Sequence, residues 1–151
     1  MTTPYDVPAD TLIEKLAATL KANDSISPPE WAEVVKTGIH REKAPDDPDW
    51  WFVRVAAVLR KVYMNGPIGS AQLSAMFGGP VDRGSKPYHA WSGSKSIIRL
   101  SLKQLEDAGF IVKDGTKGRR ISPAGQRLLD NQSREIFKEL VKDRPELEKY
   151  S

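Results

Sequence analysis

Three cationic side chains recur at every fourth position in the C-terminal half of the chain. Lys95, Arg99 and Lys103 follow one another at i, i+4 and i+8, and this spacing places them in one row along a helix. Because a row of fixed positive charge attracts phosphate groups, the pattern favours binding to a polyanion. Two alternatives stay open: a basic surface that only faces solvent, and pairing of Lys103 with the carboxylates three and four positions further on.

A small polar stretch stands directly before this row. Ser94, with Gly93 before it, is typical of a helix N-cap, whose side chain accepts a hydrogen bond from a free backbone amide. Free amides at a helix start beside Lys95 are also suited to a phosphate group. The order Gly-Ser-Lys-Ser resembles the end of a nucleotide-binding loop, but the upstream glycine is out of register, so we do not predict nucleotide binding.

The elements that must position these charges follow from the apolar spacing. Apolar residues at spacings of four and three occupy another side of the same helix, which ends at Gly109. Two short strands are predicted next, over 110–113 and 119–121, with a turn over 114–118. Cations recur in this hairpin at Lys113, Lys117, Arg119 and Arg120. A basic helix followed at once by a basic hairpin predicts the recognition helix and wing of a winged helix-turn-helix.

Five further helices are predicted from the apolar period and from capping and breaking residues. Four of them span about 7–22, 47–64, 70–77 and 122–144. A short helix after Pro29, ending at Gly38, is expected to bury Trp31, Val34 and Val35. The helix over 47–64 has the most regular apolar face, formed by Trp51, Val55, Val58, Leu59 and Val62.

The same long helix carries a third group of cations. Arg54 and Lys61 lie opposite the apolar face, and Arg60 lies beside them. Arg54 has a rival structural interpretation, in which it stacks on an indole or pairs with a carboxylate. Trp50 adjoins Trp51, so at most one of the two indoles can face squarely into the core.

The two helices of the helix-turn-helix are separated by an unusually long connector over 78–93. An ordinary helix-turn-helix joins them in about three or four residues. This connector contains Arg83, Lys86 and His89. A connection of this length inside a compact domain is usually functional.

Charge and composition narrow the class of protein. Residues 83–127 hold 10 Lys or Arg and 3 Asp or Glu, a net charge of +7, whereas residues 1–50 carry −5. Cys is absent and the two His are far apart in sequence, so no zinc cluster or Cys–His pair is expected. We therefore predict that the chain is not an enzyme and that it binds no metal ion or cofactor. No apolar run approaches the length of a membrane span, so we expect no membrane partner.

These patterns predict a mainly α fold: a winged-helix-like domain with a short β-hairpin wing and extra N-terminal helices. We expect one domain over 1–151. It would comprise N-terminal helices at about 7–38, a winged-helix core at about 48–142 and a charged tail over 143–151 that frays.

Several segments together resemble a known family, the S-nineteen-e ribosomal proteins of the archaeal and eukaryotic small subunit. In chain order they are DPDWWFVR (47–54), LRKVY (59–63), FGG (77–79), RG (83–84), PYH (87–89), GSKSIIR (93–99), QLE (104–106) and GRRISPAGQR (118–127). They cover most of residues 5–130, and the combination is specific although each segment alone is weak. Two departures, Pro80 and Ser92, stand where the family usually has a basic residue.

The resemblance implies a structural protein that binds ribosomal RNA in the head of the small subunit and supports maturation of that subunit. It implies a cytoplasmic, ribosome-associated protein with neighbouring ribosomal proteins as partners, and a monomer when free. Together with the basic row and wing, it yields a predicted RNA-binding set: Arg54, Arg60, Lys61, Arg83, Lys86, His89, Ser94, Lys95, Arg99, Lys103, Lys117, Arg119 and Arg120.

A winged-helix transcription regulator that reads duplex DNA is the alternative function. We favour RNA because the long connector would interrupt the compact turn that docks a recognition helix in a major groove. Cations also occur on both the long helix and the helix–wing unit, and this distribution fits an RNA surface better than the single groove of duplex DNA.

Overall fold

The computed structural model describes residues 2–150, which form five α-helices, two β-hairpins and three short 3-10 helices. The helices are α1 (Ala9–Lys21), α2 (Trp50–Asn65), α3 (Ser70–Met76), α4 (Lys95–Asp107) and α5 (Pro123–Asp143). One hairpin joins β1 (Gly79–Arg83) to β2 (Lys86–Trp91), and the other joins β3 (Ile111–Lys113) to β4 (Arg119–Ile121). The 3-10 helices are Pro4–Asp6, Glu30–Glu33 and Pro145–Tyr150.

Helix α2 forms the centre of the core, as its apolar period predicts. Its five predicted core residues are all buried, and Phe52 and Ala56 join them. The helix packs against α1, α4 and α5. Trp51 is 1% exposed and donates its indole hydrogen bond to Gln104 of α4, 2.9 Å away. Trp50 instead packs outside the core and donates to the Ala32 carbonyl at 3.1 Å.

The winged-helix part agrees with the sequence prediction. Helix α3 packs against α4, and β3 and β4 pair antiparallel directly after α4. Gly109 ends α4 with a φ of 84°, a left-handed conformation that strongly favours glycine. The fold is therefore mainly α-helical and winged-helix-like, with β3–β4 as the wing.

The predicted connector over 78–93 is a second hairpin and not an irregular loop. Strands β1 and β2 pair antiparallel, with Val81 opposite His89. The turn uses Gly84, whose φ is 74°, and the Gly84 amide donates to the Asp82 carboxylate at 2.9 Å. Every residue of β2 is exposed. Because neither face of the strand is buried, its sequence does not need the alternation of apolar and polar residues by which strands are recognised.

The predicted short helix after Pro29 is wrong in length and in burial. The structure has only a 3-10 turn, Glu30–Glu33, and Val34 is 79% exposed instead of buried. The local capping signals are those of a helix, but Trp31 is only partly buried and the following residues form a loop. The partly buried Trp31 and the small buried Ala32 provide too little apolar contact to sustain further turns.

The charged end of the chain adopts a short regular structure. Its described residues form the 3-10 helix Pro145–Tyr150, which packs against α5 and partly buries Leu147. Residue 151 lies outside the described part of the chain. Among residues 2–150, no helix combines the length and the apolar character that a membrane span needs.

Candidate nucleic-acid interface

The start of α4 presents the predicted cap and the predicted basic row. The Ser94 hydroxyl accepts a hydrogen bond from the Ile97 amide at 3.4 Å. Lys95, Arg99 and Lys103 are all exposed. Within residues 2–150, no carboxylate lies within 4.0 Å of these three cations, so their charges are available to a ligand. The pairing of Lys103 with nearby carboxylates is therefore not observed.

The wing contributes free cations and one paired cation. Lys117 and Arg120 are exposed, whereas the Arg119 Nε atom lies 3.4 Å from the Glu106 carboxylate of α4. The Arg119 backbone also exchanges two hydrogen bonds of 3.0 Å with Ile68. Arg119 thus joins the wing to the helices, a structural contribution that the sequence analysis did not foresee.

The β1–β2 hairpin presents polar side chains and aromatic rings on both of its faces. Antiparallel register places His89 and Trp91 on one face, and Lys86 and Tyr88 on the other. Tyr88 and Trp91 are 60% and 55% exposed. Arg83 donates to the Pro87 carbonyl across the turn at 3.2 Å. This two-stranded hairpin therefore combines positive charge with aromatic surface on which bases can stack.

The hairpin ends beside the start of α4. Two backbone hydrogen bonds fix this junction. The Gly93 amide donates to the Ser74 carbonyl at 2.8 Å, and the Ser94 amide donates to the Thr37 carbonyl at 2.9 Å. A groove of about 850 Å³ lies there, lined by apolar side chains and by Lys36, Trp91 and Lys95. The structure therefore brings the hairpin and the α4 cap together.

The cations of α2 occupy three different environments. Arg54 is partly buried, and its guanidinium lies 4.4 Å from the centre of the Phe77 ring. Burial, together with the neighbouring Arg41 charge, lowers the pKa of Arg54 to about 10. Arg60 has a buried Nε atom without a partner in residues 2–150, and Lys61 is partly buried. The stacked interpretation of Arg54 is realised, on a phenyl ring and not on an indole.

Sequence reasoning missed two residues beside Arg54. His40 and Arg41 line, with Arg54, a cavity of about 570 Å³. The His40 ring fills the space beside Gly38 and Gly79: an added Cβ would lie 2.7 Å from His40 Nδ1 at the first and 2.9 Å from His40 Cδ2 at the second. The Gly-Gly pair at 78–79 is the sequence feature that could have indicated this contact, because Gly79 leaves room for the His40 ring from a distant loop.

The described residues hold no group of three or more His, Cys, Asp or Glu side chains that could bind a metal ion. The side chains that converge on the hairpin and α4 are cations, hydroxyls and aromatic rings. Such groups bind phosphates and stack on bases.

The α3–α4 pair, the wing and the exposed cations define a winged-helix-like protein with a basic face. The model of the family described as ribosomal protein S19e matches residues 3–139. The chain belongs to this family of ribosomal proteins, and family membership assigns it a structural and not an enzymatic role.

Individual relatives agree over nearly the whole chain. The chain is 49% identical to small ribosomal subunit protein eS19 of Thermoplasma acidophilum, over 95% of each chain. It is equally 49% identical to the protein of that name from Aeropyrum pernix, over 99% of each. Small ribosomal subunit protein eS19B of Schizosaccharomyces pombe is 44% identical, over 83% of this chain and 87% of its own.

Proposed function

We propose that this chain is a structural constituent of the small ribosomal subunit that binds ribosomal RNA in the subunit head and supports assembly of the subunit. Its relatives are named as small-subunit proteins, which supports a cytoplasmic, ribosome-associated role in translation with other ribosomal proteins as neighbours. The proposal includes a single domain over 1–151 that is monomeric when free. One core cluster with buried residues from all five helices supports the single domain.

The β1–β2 hairpin is the observation that carries RNA binding. A two-stranded hairpin is at best marginally stable in water unless something covers it, yet all six residues of β2 are exposed. One face carries Lys86 beside Tyr88 and the other carries His89 beside Trp91, and such groups bind phosphates and stack on unpaired bases. A folded RNA that packs against the hairpin would satisfy both requirements.

The hairpin also weighs against the DNA-binding alternative. It is inserted between α3 and α4, where a major-groove reader has a compact turn of a few residues. The free cations lie on α4, the wing and the hairpin, which is a wider distribution than one recognition helix presents. This distribution suits an irregular RNA surface.

Sedimentation of the tagged protein from cells tests the proposal. We expect the wild type to migrate with small subunits and to leave that fraction after RNase treatment. A hairpin variant with Arg83→Gln and Lys86→Gln should associate less. The matched control, Arg134→Gln with Lys138→Gln on exposed positions of α5, loses the same charge and should associate normally. RNase-resistant migration, or enrichment on specific duplex DNA, would refute the proposal.

A further inference from the structure

The segment 34–39, which precedes α2, exposes apolar side chains at the groove beside the start of α4. Val34 is 79% exposed and Ile39 is 61% exposed. Both line this groove of about 850 Å³, and Ala90 and Trp91 of β2 also line it. Apolar surface in contact with water is unfavourable, and a contiguous exposed set marks a surface that another molecule covers.

The backbone in the middle of this segment fixes the exposure of the side chains around it. Thr37 and Gly38 are buried, and the Thr37 carbonyl accepts a hydrogen bond from the Ser94 amide at 2.9 Å. Gly38 forms a β-bridge with Gly93, and a Cβ added to Gly38 would lie 3.1 Å from the Gly93 Cα atom. The segment is therefore held against the start of α4, while the apolar side chains on either side of the held residues face solvent. The groove is a preformed feature of the fold.

The groove carries positive charge. Lys36 and Lys95 both line it and are exposed, and no Asp or Glu is among its described lining residues. Within residues 2–150, no carboxylate lies within 4.0 Å of Lys36. Lys95 belongs to the basic row of α4, whereas Lys36 is not part of the predicted RNA-binding set. Lys36 thus places a free positive charge beside apolar surface, which favours an apolar ligand that also carries a carboxylate.

RNA is a poor match for the aliphatic part of this groove. RNA offers phosphates, hydroxyls and planar bases, which bind through charge, hydrogen bonds and stacking. The side chains of Val34, Val35 and Ile39 have no hydrogen-bonding group and no flat ring. Among the described lining residues, Trp91 alone can stack on a base. Branched aliphatic side chains instead need apolar atoms opposite them, and the side chains of another protein provide such atoms.

We propose that this groove binds a segment of a neighbouring protein of the small subunit, one that inserts apolar side chains into the groove and places a carboxylate beside Lys36. The aliphatic lining would form the buried centre of the interface, and the lysine would form part of its polar rim, as is typical of contacts between proteins. The inference rests on the proposed function, because the partner belongs to the small subunit. It gives segment 34–39 a role separate from RNA binding by the hairpin and α4.

A photo-cross-linker placed in the groove tests the proposal. Because the chain has no cysteine, Ile39→Cys provides a single thiol that reacts with benzophenone maleimide. The labelled protein is reconstituted into small subunits that lack this chain, and the cross-linked segment is identified by mass spectrometry. We expect a segment of another protein that contains apolar residues and an Asp or Glu. Val34→Cys should reach the same segment, whereas Glu139→Cys, at an exposed position of α5, should not.

The second measurement is incorporation into small subunits in competition with a differently tagged wild type. Lys36→Glu should incorporate about fivefold less well, as expected when a favourable charge pair at an interface rim is lost. Lys138→Glu makes the same change at an exposed position of α5 and should compete normally. Val34→Ser with Ile39→Ser should incorporate about tenfold less well, because the groove loses aliphatic surface that the partner would bury.

The free protein separates docking from folding and from RNA binding. Because Val34 and Ile39 are exposed, the double serine variant should keep the thermal midpoint of the wild type. It should also keep the wild-type affinity for RNA, and Lys36→Glu should bind RNA as Lys138→Glu does. A lower RNA affinity of the double serine variant, at an unchanged thermal midpoint, would place the groove in the RNA interface and overturn the inference.

The remaining outcomes separate the inference from the proposed function. A cross-link from position 39 to RNA or to a second copy of this chain would overturn the inference and leave the proposed function intact. The same holds if subunits that contain the labelled protein give no cross-link, or if Lys36→Glu and Lys138→Glu incorporate equally. Absence of the wild type from small subunits would instead overturn the proposed function, and sedimentation shows this before any cross-linking.

Discussion

The side chain of Tyr63 links α2 to α5. Its hydroxyl donates a 2.8 Å hydrogen bond to the Asp130 carboxylate. Burial, followed by this hydrogen bond and the negative charge of Asp130, raises the pKa of Tyr63 to about 12. The neutral phenol is the form that the folded protein favours, so its ionisation is coupled to unfolding.

The shift predicts a loss of stability at alkaline pH. The contribution of Tyr63 is complete below the unfolded tyrosine pKa of about 10, and it is lost as pH rises to the folded value of about 12. Absorbance titration should show one tyrosine that ionises later than the others. Tyr63→Phe should abolish the late step and reduce the pH dependence of the urea midpoint between these values; an unchanged late step would contradict the assignment.

Leu59 is a fully buried residue of the α2 core face. Leu59→Ala should lower the free energy of unfolding by about 2–5 kcal/mol, because the packed neighbours cannot fill the space that the side chain leaves. Urea unfolding measures the loss. Val34→Ala is the matched control, because Val34 is 79% exposed, and it should cost less than about 0.5 kcal/mol. Equal midpoints for both variants would refute the packing of α2.

At the scale of elements, two serine caps make different connections. Ser94 accepts one long bond at the start of α4. Ser122 accepts from the Gly125 amide at 3.1 Å and also donates to the Gly109 carbonyl at 2.6 Å. Ser122 therefore caps α5 and at the same time gives the Gly109 carbonyl, just after α4, a hydrogen-bond partner.

This difference predicts unequal costs of removing the two caps. Ser122→Ala should cost about 1–3 kcal/mol, because the cap and the second, partly buried hydrogen bond to the Gly109 carbonyl are lost together. Ser94→Ala should cost about 0.5–1 kcal/mol, at the low end for an N-cap. Chemical denaturation of both variants provides the comparison, and a larger loss for Ser94→Ala would show that the long α4 bond is the stronger one.

At the scale of the whole molecule, charge is segregated along the chain, with +7 over residues 83–127 and −5 over residues 1–50. Because the free cations of α4, the wing and the hairpin are exposed, affinity for RNA should depend strongly on salt. Each contacted phosphate should contribute about 0.7–0.9 to the slope of log K against log salt.

Lys95→Gln should therefore reduce this slope by one such increment in a filter-binding titration. Lys15→Gln is the control, because Lys15 pairs with Glu135 of α5 at 2.8 Å and its charge is already matched. A slope near zero for the wild type would refute binding to a polyanion. An equal change in both variants would show only a general effect of net charge.

The amino-acid sequence by itself determined the five α-helices, the wing and the basic row of α4. These features depend on local rules: an apolar side chain at every third or fourth position, a serine before a helix and a glycine after it. Ser94, Gly109 and Ser122 each occupy the position that these rules assign. The resemblance carried by the segments from 47 to 127 also indicated the family without any information on the fold.

Tertiary structure alone decided which charges are free and which are paired. Arg119 pairs with Glu106 and leaves Lys103 free, although spacing along α4 alone allowed the opposite. Strand β2 could not be recognised because none of its residues is buried. Arg41 and Arg54 line one cavity only because the loop that carries His40 packs beside Gly79 at the start of β1. Such contacts depend on distances between residues remote in sequence, and no local period encodes them.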